Sequence, residues 1–474
     1  MSAGLSQLLL GKSITDDRVI QLAVGVTRLD NVVKSKDKVF LALLHDNLGK
    51  VLVLFPASDL LNLVILWRET DRQLQSISPQ NLIKFFKQEA LMTTEGQRKL
   101  FSLPVYIDRS LNSVLQFDAL EPHSGLTFSI PKQWLENTVT VLPLSISQQE
   151  INDKQPKGSD EEVVVKAVER FTALRIKQRV SDTLGLPSLS PTVQKISELR
   201  SDPLADVSRL VPIVKVDPSL ASQVMSWAAS PYYATPSELQ SIEDAVSRVL
   251  GFDLVINLAL GVSMGKTLSV PKDAPRGHTP YWLQALYSAT LAERLCKKMN
   301  ANDAPKPGLV YLTGLIHNFG YAVLGHLFPS HFVLLSRYLE ANPHISIEQT
   351  EKQILNVTRE QVAAWLFECW SLPEEVCLGV RYINSPMSSE SNTYAQLVNL
   401  ANRALRSSGF ADGPIEALDK NVLQAVGLLE EEVFAEREAM LTKEDELLEL
   451  VNMLEQQQRR ETAKIDDSIE GDIS

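Results

Sequence analysis

The stretch LTGLIHNFGYAVLGH, residues 312–326, carries a histidine, an asparagine and a glycine within an apolar run. An imidazole followed directly by a carboxylate can hold a divalent cation and let it activate water, because nitrogen and anionic oxygen together satisfy such a metal. Here the second residue is an amide, so His317-Asn318 presents three alternatives: a working site, a disabled one, or a polar pair kept inside a helical core. His326 and His331 follow on the same segment. Isolated histidines on apolar helices are more often hydrogen-bonded core members than ligands, and both are expected to be so here.

The elements that must position these residues begin near residue 163. From there to about 410, helices alternate with short Pro, Gly and Asp breaks. Asp202-Pro203 and Asp217-Pro218 read as helix starts, with aspartate as cap and proline in the first turn, and Leu220, Val224 and Trp227 then recur at helical spacing. Residues 1–146 mix signals instead. KVFLALLHDNLGKVLVLFPAS reads as two β-runs joined by a turn around Asn47 to Gly49, and further strands are expected at 103–108, 113–117 and 126–130, with helical patterning in SPQNLIKFFKQEAL between them. The fold class is therefore multidomain: an α+β unit over 1–146, a polar linker over 147–162, an all-α unit over 163–415, an amphipathic helical region over 416–458 and a disordered acidic tail over 459–474. In the fourth of these, Val433, Met440, Leu447 and Leu454 fall every seven residues beside Phe434, Leu441 and Leu448. Such a stripe must be covered, either by the chain's own helices or by self-association through 433–454.

At 474 residues the chain exceeds one ordinary core, and 44% hydrophobic with 22% charged residues is a globular composition with no apolar run long enough for a membrane span. Fifteen acidic against five basic residues after position 429 account for ten of the twelve net negative charges. The rest is nearly neutral, which excludes a broad basic footprint for duplex nucleic acid. Cys296, Cys369 and Cys377 are scattered, make neither a disulfide framework nor a metal knuckle, and are expected as small buried hydrophobes. With no signal-peptide pattern at the N-terminus, these features point to a cytoplasmic address without a membrane partner.

The segment from Leu186 to Gly265, with Leu186-Pro187, Asp217-Pro218, the Ser230–Tyr233 stretch and SIEDAVSRVLGFD, resembles the opening of the HDOD domain, the HD-related output domain of bacterial signalling proteins. The similarity runs on through the histidine segment and WSLPEEVCLGVRY to about residue 405. The resemblance implies an all-helical fold related to HD phosphohydrolases. In that pattern the metal ligands fall on Gln284, His317, Asn318 and Asn402, so three of four are neutral amides, which are poor ligands for a dication. The place of an Asp-His pair holds Thr358-Arg359 and that of a His-His pair holds Ile383-Asn384. The site is thus expected to be vestigial, with no metal and no cofactor. Arg359 and Asn384 are candidate ligand contacts, because a guanidinium near the old metal position could hold a phosphate or carboxylate. Alternatively Arg359 is a surface arginine pairing with Glu360 or Gln361.

The first unit, through LVLFPASDLLNL and LPVYIDRSL, resembles the YbaK/prolyl-tRNA-editing fold, whose active members hydrolyse mischarged aminoacyl-tRNA. The resemblance implies a lysine before the first hairpin strand; Lys34, Lys36 and Lys38 are the candidates, with Lys38 nearest the expected place. The loop that should be rich in glycine and proline, EALMTTEGQRKLFS, has one glycine and no proline. Together these readings give a non-catalytic bacterial regulatory protein that binds a protein partner or a small anionic ligand through its HDOD helices. The alternatives are an aminoacyl-tRNA deacylase acting through Lys38 on tRNA, a metal-dependent HD phosphohydrolase, or a bare scaffold.

Overall fold

The computed structural model describes residues 39–86, 91, 93–114, 116–123, 126–131, 139–141, 147–148, 159–171, 191–202, 204–233, 239–265, 271 and 273–456. Lys34, Lys36 and Lys38, most of the 147–162 stretch, and residues 459–474 lie outside them. Two expected runs form the hairpin β1 (Val39–Asp46) and β2 (Gly49–Pro56), in the register Leu43 opposite Leu52. With β4 (Gln75–Ser76), β5 (Val105–Ile107), β6 (Gln116–Leu120), β7 (Thr127–Pro131) and β8 (Val139–Val141) they make a mixed sheet in the order β7-β6-β1-β2-β5-β8, with β4 on the flank of β1. The strand expected at 113–117 begins three residues later, at Gln116.

Both faces of this sheet are buried, which is why its hairpin strands read as nearly unbroken apolar runs. Leu41, Leu43, Leu52 and Leu54 face one cluster with Phe86, Phe101 and Phe128. Phe40, Leu44, Val51, Val53 and Phe55 face the other, where Tyr338, Ala341 and Ile345 of the helical region join them. Residues expected as linker take part as well: Ser147–Gln148 forms β9, antiparallel to Leu60–Leu61 (β3), and a helix already begins at Asp160.

The two regions are stitched by polar contacts at the end of the Pro329–Ala341 helix. The Asn342 side chain accepts from the Leu61 amide at 2.7 Å and donates to the Leu61 carbonyl at 3.2 Å, as a strand neighbour would. The Tyr338 hydroxyl donates to Asn62 at 2.9 Å. His344 donates from Nε2 to the Asp59 carbonyl at 2.8 Å and lies 4.2 Å, centroid to centroid, from the Phe40 ring.

The helices beyond residue 159 share one continuous core. Asp217 caps the Pro218–Ala228 helix as expected, accepting from the Leu220 amide at 3.0 Å. Asp202 does not start a helix; it turns back to accept from Leu204 at 2.8 Å, and Asp206 caps Val207–Val216 instead. The heptad stripe also enters this core: Val433, Met440, Leu447 and Leu454 are all buried in it. The amphipathic helical region is three pieces, Lys420–Val426, Glu430–Leu441 and 444–456, broken at Gly427, which takes the left-handed conformation (φ 68°), and at 442–443. Glu436 clamps this arm to Arg294 at 2.7 Å and Lys298 at 3.0 Å. Of the two covers the spacing leaves open for 433–454, the structure shows the chain's own helices over Val433, Met440, Leu447 and Leu454. Among the described residues no single helix is long and apolar enough to cross a membrane.

Burial pushes the His344 imidazole down to about 4. Its folded value lies below the unfolded one of about 6.5, so this group contributes stability that is present above pH 6.5 and lost as pH falls toward 4. His344→Gln should destabilise the protein at pH 7.5, and the gap from wild type should shrink by about 2 kcal/mol at pH 5. Denaturant melts of both proteins at the two pH values check this, and a gap that is constant or widens at pH 5 contradicts it.

Candidate functional site

The residues assigned from the sequence converge. Gln284, His317, Asn318, Arg359, Asn384 and Asn402 all line one cleft of about 450 Å³. Gln284 sits in the first turn of the Tyr281–Lys298 helix. Its Nε2 donates to the Thr279 carbonyl at 3.0 Å and to Asp412 at 2.5 Å, and its oxygen accepts from the Asp412 amide at 3.3 Å. Asp412 also accepts from the Thr279 amide and hydroxyl, both at 2.9 Å, and pairs with His278, whose ring stacks on Tyr321 with centroids 4.7 Å apart. Burial alone would raise the Asp412 carboxyl, but His278 and these donors hold it below its usual value.

His317 closes the apolar helix Pro307–Ile316, and Asn318 opens Phe319–Leu327. The His317 Nδ1 lies 2.6 Å from the Gly314 carbonyl, which fixes the proton there and leaves Nε2 as the lone-pair nitrogen. Burial pushes this imidazole down to about 4, and the Arg359 charge adds to the effect, so the ring is neutral at pH 7.

Arg359 is the first residue of the Arg359–Cys369 helix, which a Thr358/Gln361 capping box opens. Its backbone carbonyl presses so close to Gly320 that a Cβ there would meet it at 1.9 Å, which accounts for the glycine in HNFG. The expectation of an exposed arginine is corrected: Arg359 is 5% exposed, and Glu351 beneath it is fully buried. Arg359 donates from its backbone amide to Glu351 at 2.9 Å and from Nε to the other Glu351 oxygen at 2.6 Å. Its Nη1 donates to the Asn318 side-chain oxygen, Oδ1, at 2.8 Å. Burial raises the Glu351 carboxyl above its ordinary range despite the guanidinium beside it. Burial also works against the Arg359 charge, and the facing carboxylates more than restore it. The partner is thus eight residues upstream, not the neighbouring Glu360 or Gln361.

Gln284 is buried too, whereas Asn384 is half-buried and donates to Glu360 at 2.9 Å. His326 is exposed and His331 half-buried; neither lines the cleft, so their reading as core members is corrected by their place at helix ends. Cys296 and Cys377 are buried as expected, but Cys369 is exposed. Glu351, Asp412, His278 and Asn399 were not picked out from the sequence. Only Asn399 had a usable signal, lying three residues before Asn402 and so on the same helix face.

This donor set does not fit a catalytic dication. The Asn318 and Gln284 oxygens already accept from Arg359 and Asp412, leaving the His317 Nε2 and the Asn402 oxygen to meet a metal, with a fixed guanidinium alongside. Among the described residues no group of three or more His, Cys, Asp or Glu side chains is arranged to hold a metal.

The HDOD domain family model matches residues 186–386, the span that builds most of this cleft. This chain is an HDOD-domain protein. The crystal structure of a candidate signal transduction protein from Marinobacter aquaeolei VT8 is 32% identical and superposes with a TM-score of 0.80 over 96% of this chain and 99% of that one. An HDOD domain protein of unknown function from Geobacter sulfurreducens is 20% identical, with a TM-score of 0.47 over 62% of this chain and 98% of its own. A Treponema pallidum (strain Nichols) protein without an assigned role is 26% identical over 254 residues, which is 53% of this chain and 47% of that relative. The chain thus spans about half the length of the curated relative it matches.

The HDOD cleft depends on the pairing of Arg359 with Glu351. Arg359→Ala should cost about 3–5 kcal/mol by stranding a buried carboxylate, whereas the double variant Arg359→Met/Glu351→Leu should cost less than the single one. Chemical denaturation of the three proteins decides it, and a double variant less stable than Arg359→Ala would show that the ion pair is not the organising element.

Proposed function

We propose that this HDOD protein is a non-catalytic, cytoplasmic signal-transduction protein of bacterial type, acting by recognition of a protein partner or small ligand through a degenerate, metal-less HD site. The observation that carries the reading is the Arg359 guanidinium, bonded to Asn318 and backed by Glu351, in a cleft whose metal-ligand positions hold Gln284, His317, Asn318 and Asn402. A guanidinium supplies positive charge where an HD enzyme would need a dication, but it can neither exchange a water ligand nor lower its pKa. What survives is a polar cleft able to bind without reacting, and ligand binding there would bias the position of the helices around it.

Elemental analysis of protein purified without chelator or tag tests this, with metal well below one equivalent as the expected result. Gln284→His, Asn318→Asp and Asn402→Asp together should raise affinity for a divalent transition metal, most strongly when combined with removal of the Arg359 charge by Arg359→Gln. Stoichiometric metal in the wild type would overturn the reading.

In the same proposal the chain divides at 1–146, 147–162, 163–415, 416–458 and 459–474, and the first unit is a YbaK-like domain that has lost its editing role. Its mixed α+β sheet and the sequence LPVYIDRSL support the resemblance. Mischarged aminoacyl-tRNA should not be deacylated above the uncatalysed rate, and Lys38→Ala should leave signalling output unchanged; turnover that Lys38→Ala abolishes would restore the enzyme alternative.

A further inference from the structure

Buried polar atoms are almost always hydrogen-bonded, so a concentration of unpartnered ones marks a place built to receive something. The HDOD cleft holds such a concentration. Arg359 Nη2 and Asn318 Nδ2 are buried donors without a partner, and they belong to two side chains bonded to each other. Asn399 Oδ1, Asn402 Oδ1 and Glu360 Oε2 are buried acceptors without a partner. All five residues line the cleft, and each is less than one-tenth exposed.

The other polar atoms of Asn318, Asn399 and Glu360 are engaged, which fixes the roles of these three. Asn399 spends its Nδ2 on the Ile383 carbonyl at 2.7 Å, so its oxygen is the free end. Glu360 spends Oε1 on Asn384, and Oε2 makes no well-aligned hydrogen bond, although the Thr358 side chain and the Glu360 amide lie close enough to favour the charged carboxylate. Asn399 and Asn402, one turn apart on the Thr393–Arg406 helix, present both oxygens from one face. The free atoms therefore fall into two kinds: a donor pair at Arg359/Asn318 and an acceptor trio at Asn399, Asn402 and Glu360.

The charge of the lining narrows the ligand. Four basic and four acidic side chains line the cleft. Four of these are already paired, Lys352 with Glu348 one turn away on its own helix at 2.8 Å and Arg403 with Glu416 at 3.2 Å. A balanced lining gives no net attraction for a polyanion, and a simple oxyanion would leave the acceptor trio unsatisfied. A carboxylate suits two neighbouring donors, one of them a guanidinium. A primary ammonium has three N–H groups, which matches three free acceptors, one of them a carboxylate.

Resting on the metal-less reading above, we propose that the HDOD cleft binds a small zwitterion bearing a carboxylate and a primary ammonium, of the α-amino-acid class, with the carboxylate at Arg359/Asn318 and the ammonium at Asn399/Asn402/Glu360. Burial raises the Glu360 carboxyl, a destabilisation of its charged form that an ammonium would relieve. A cleft of about 450 Å³ limits the ligand to a single small molecule.

The test uses the full chain, the common α-amino acids as probes at millimolar concentration, thermal shift as the screen and calorimetry for affinity. At least one amino acid should raise the melting temperature saturably. Its methyl ester and its N-acetyl derivative, each lacking one of the two charges, should bind at least about tenfold more weakly. Asn402→Leu and Asn399→Leu, which leave the Arg359 pair intact, should weaken it by a similar factor. An N-acetyl derivative that binds as well as its parent, or a shift from inorganic phosphate or a mononucleotide with none from amino acids, overturns the zwitterion in favour of a plain anion. No shift from any probe means that the cleft holds water only and overturns it too. The metal analysis is independent: metal-free protein that binds no amino acid defeats this inference alone, while stoichiometric metal defeats the reading beneath it.

Discussion

A buried guanidinium needs a counter-charge, and the arrangement of the HDOD cleft follows from how Arg359 obtains one. Its carboxylate comes from Glu351 on the preceding helix, its remaining bond goes to Asn318 at the next junction, and its backbone is admitted by the absence of a side chain at Gly320. Three helices are thereby held at one point by contacts that lose their value if any is displaced, since an unpaired charge at that depth costs several kcal/mol. An internal salt link between Arg359 and Glu351 is the charged tie at this point.

The nature of this tie explains why the sequence was legible at some positions and opaque at others. Gln284, His317, Asn318 and Asn402 could be placed on one cleft because the helical segments around them carry the family resemblance, and the structure brings all four to its lining. Arg359 was placed correctly but read as exposed, since nothing in NVTREQ shows that its partner is Glu351, whose own segment IEQTEKQ reads as a solvated helix face. Asp412 and His278 were invisible for the same reason. Their pairing joins residues more than a hundred positions apart, and neither sits in a run whose periodicity marks it as buried.

The sheet and the C-terminal arm show the same division. Period-two alternation was hidden in β1 and β2 because both faces are covered, yet the turn between them was plain from Asn47 and Gly49. Seven-residue spacing announced a stripe that had to be covered, but spacing cannot say by what. Two breaks let that stripe fold back onto the Tyr281–Lys298 helix, where the Arg294 and Lys298 side chains meet Glu436. Much of the acidic excess that looked like a solvated tail thus begins on an arm integral to the core.

The segment from Asn342 to Glu351 carries the seam with the sheet at one end and the anchor of the cleft at the other. His344 leans on Phe40 of β1, Ser346 caps the Ile347–Leu355 helix, and one turn further on Glu351 grips Arg359. There is no slack between these points, for the capped helix starts three residues after the His344 ring. The segment therefore acts as a short crankshaft: a rotation of the Ile347–Leu355 helix large enough to release Glu351 would also twist His344 against the sheet, so the N-terminal unit and the cleft cannot rearrange independently.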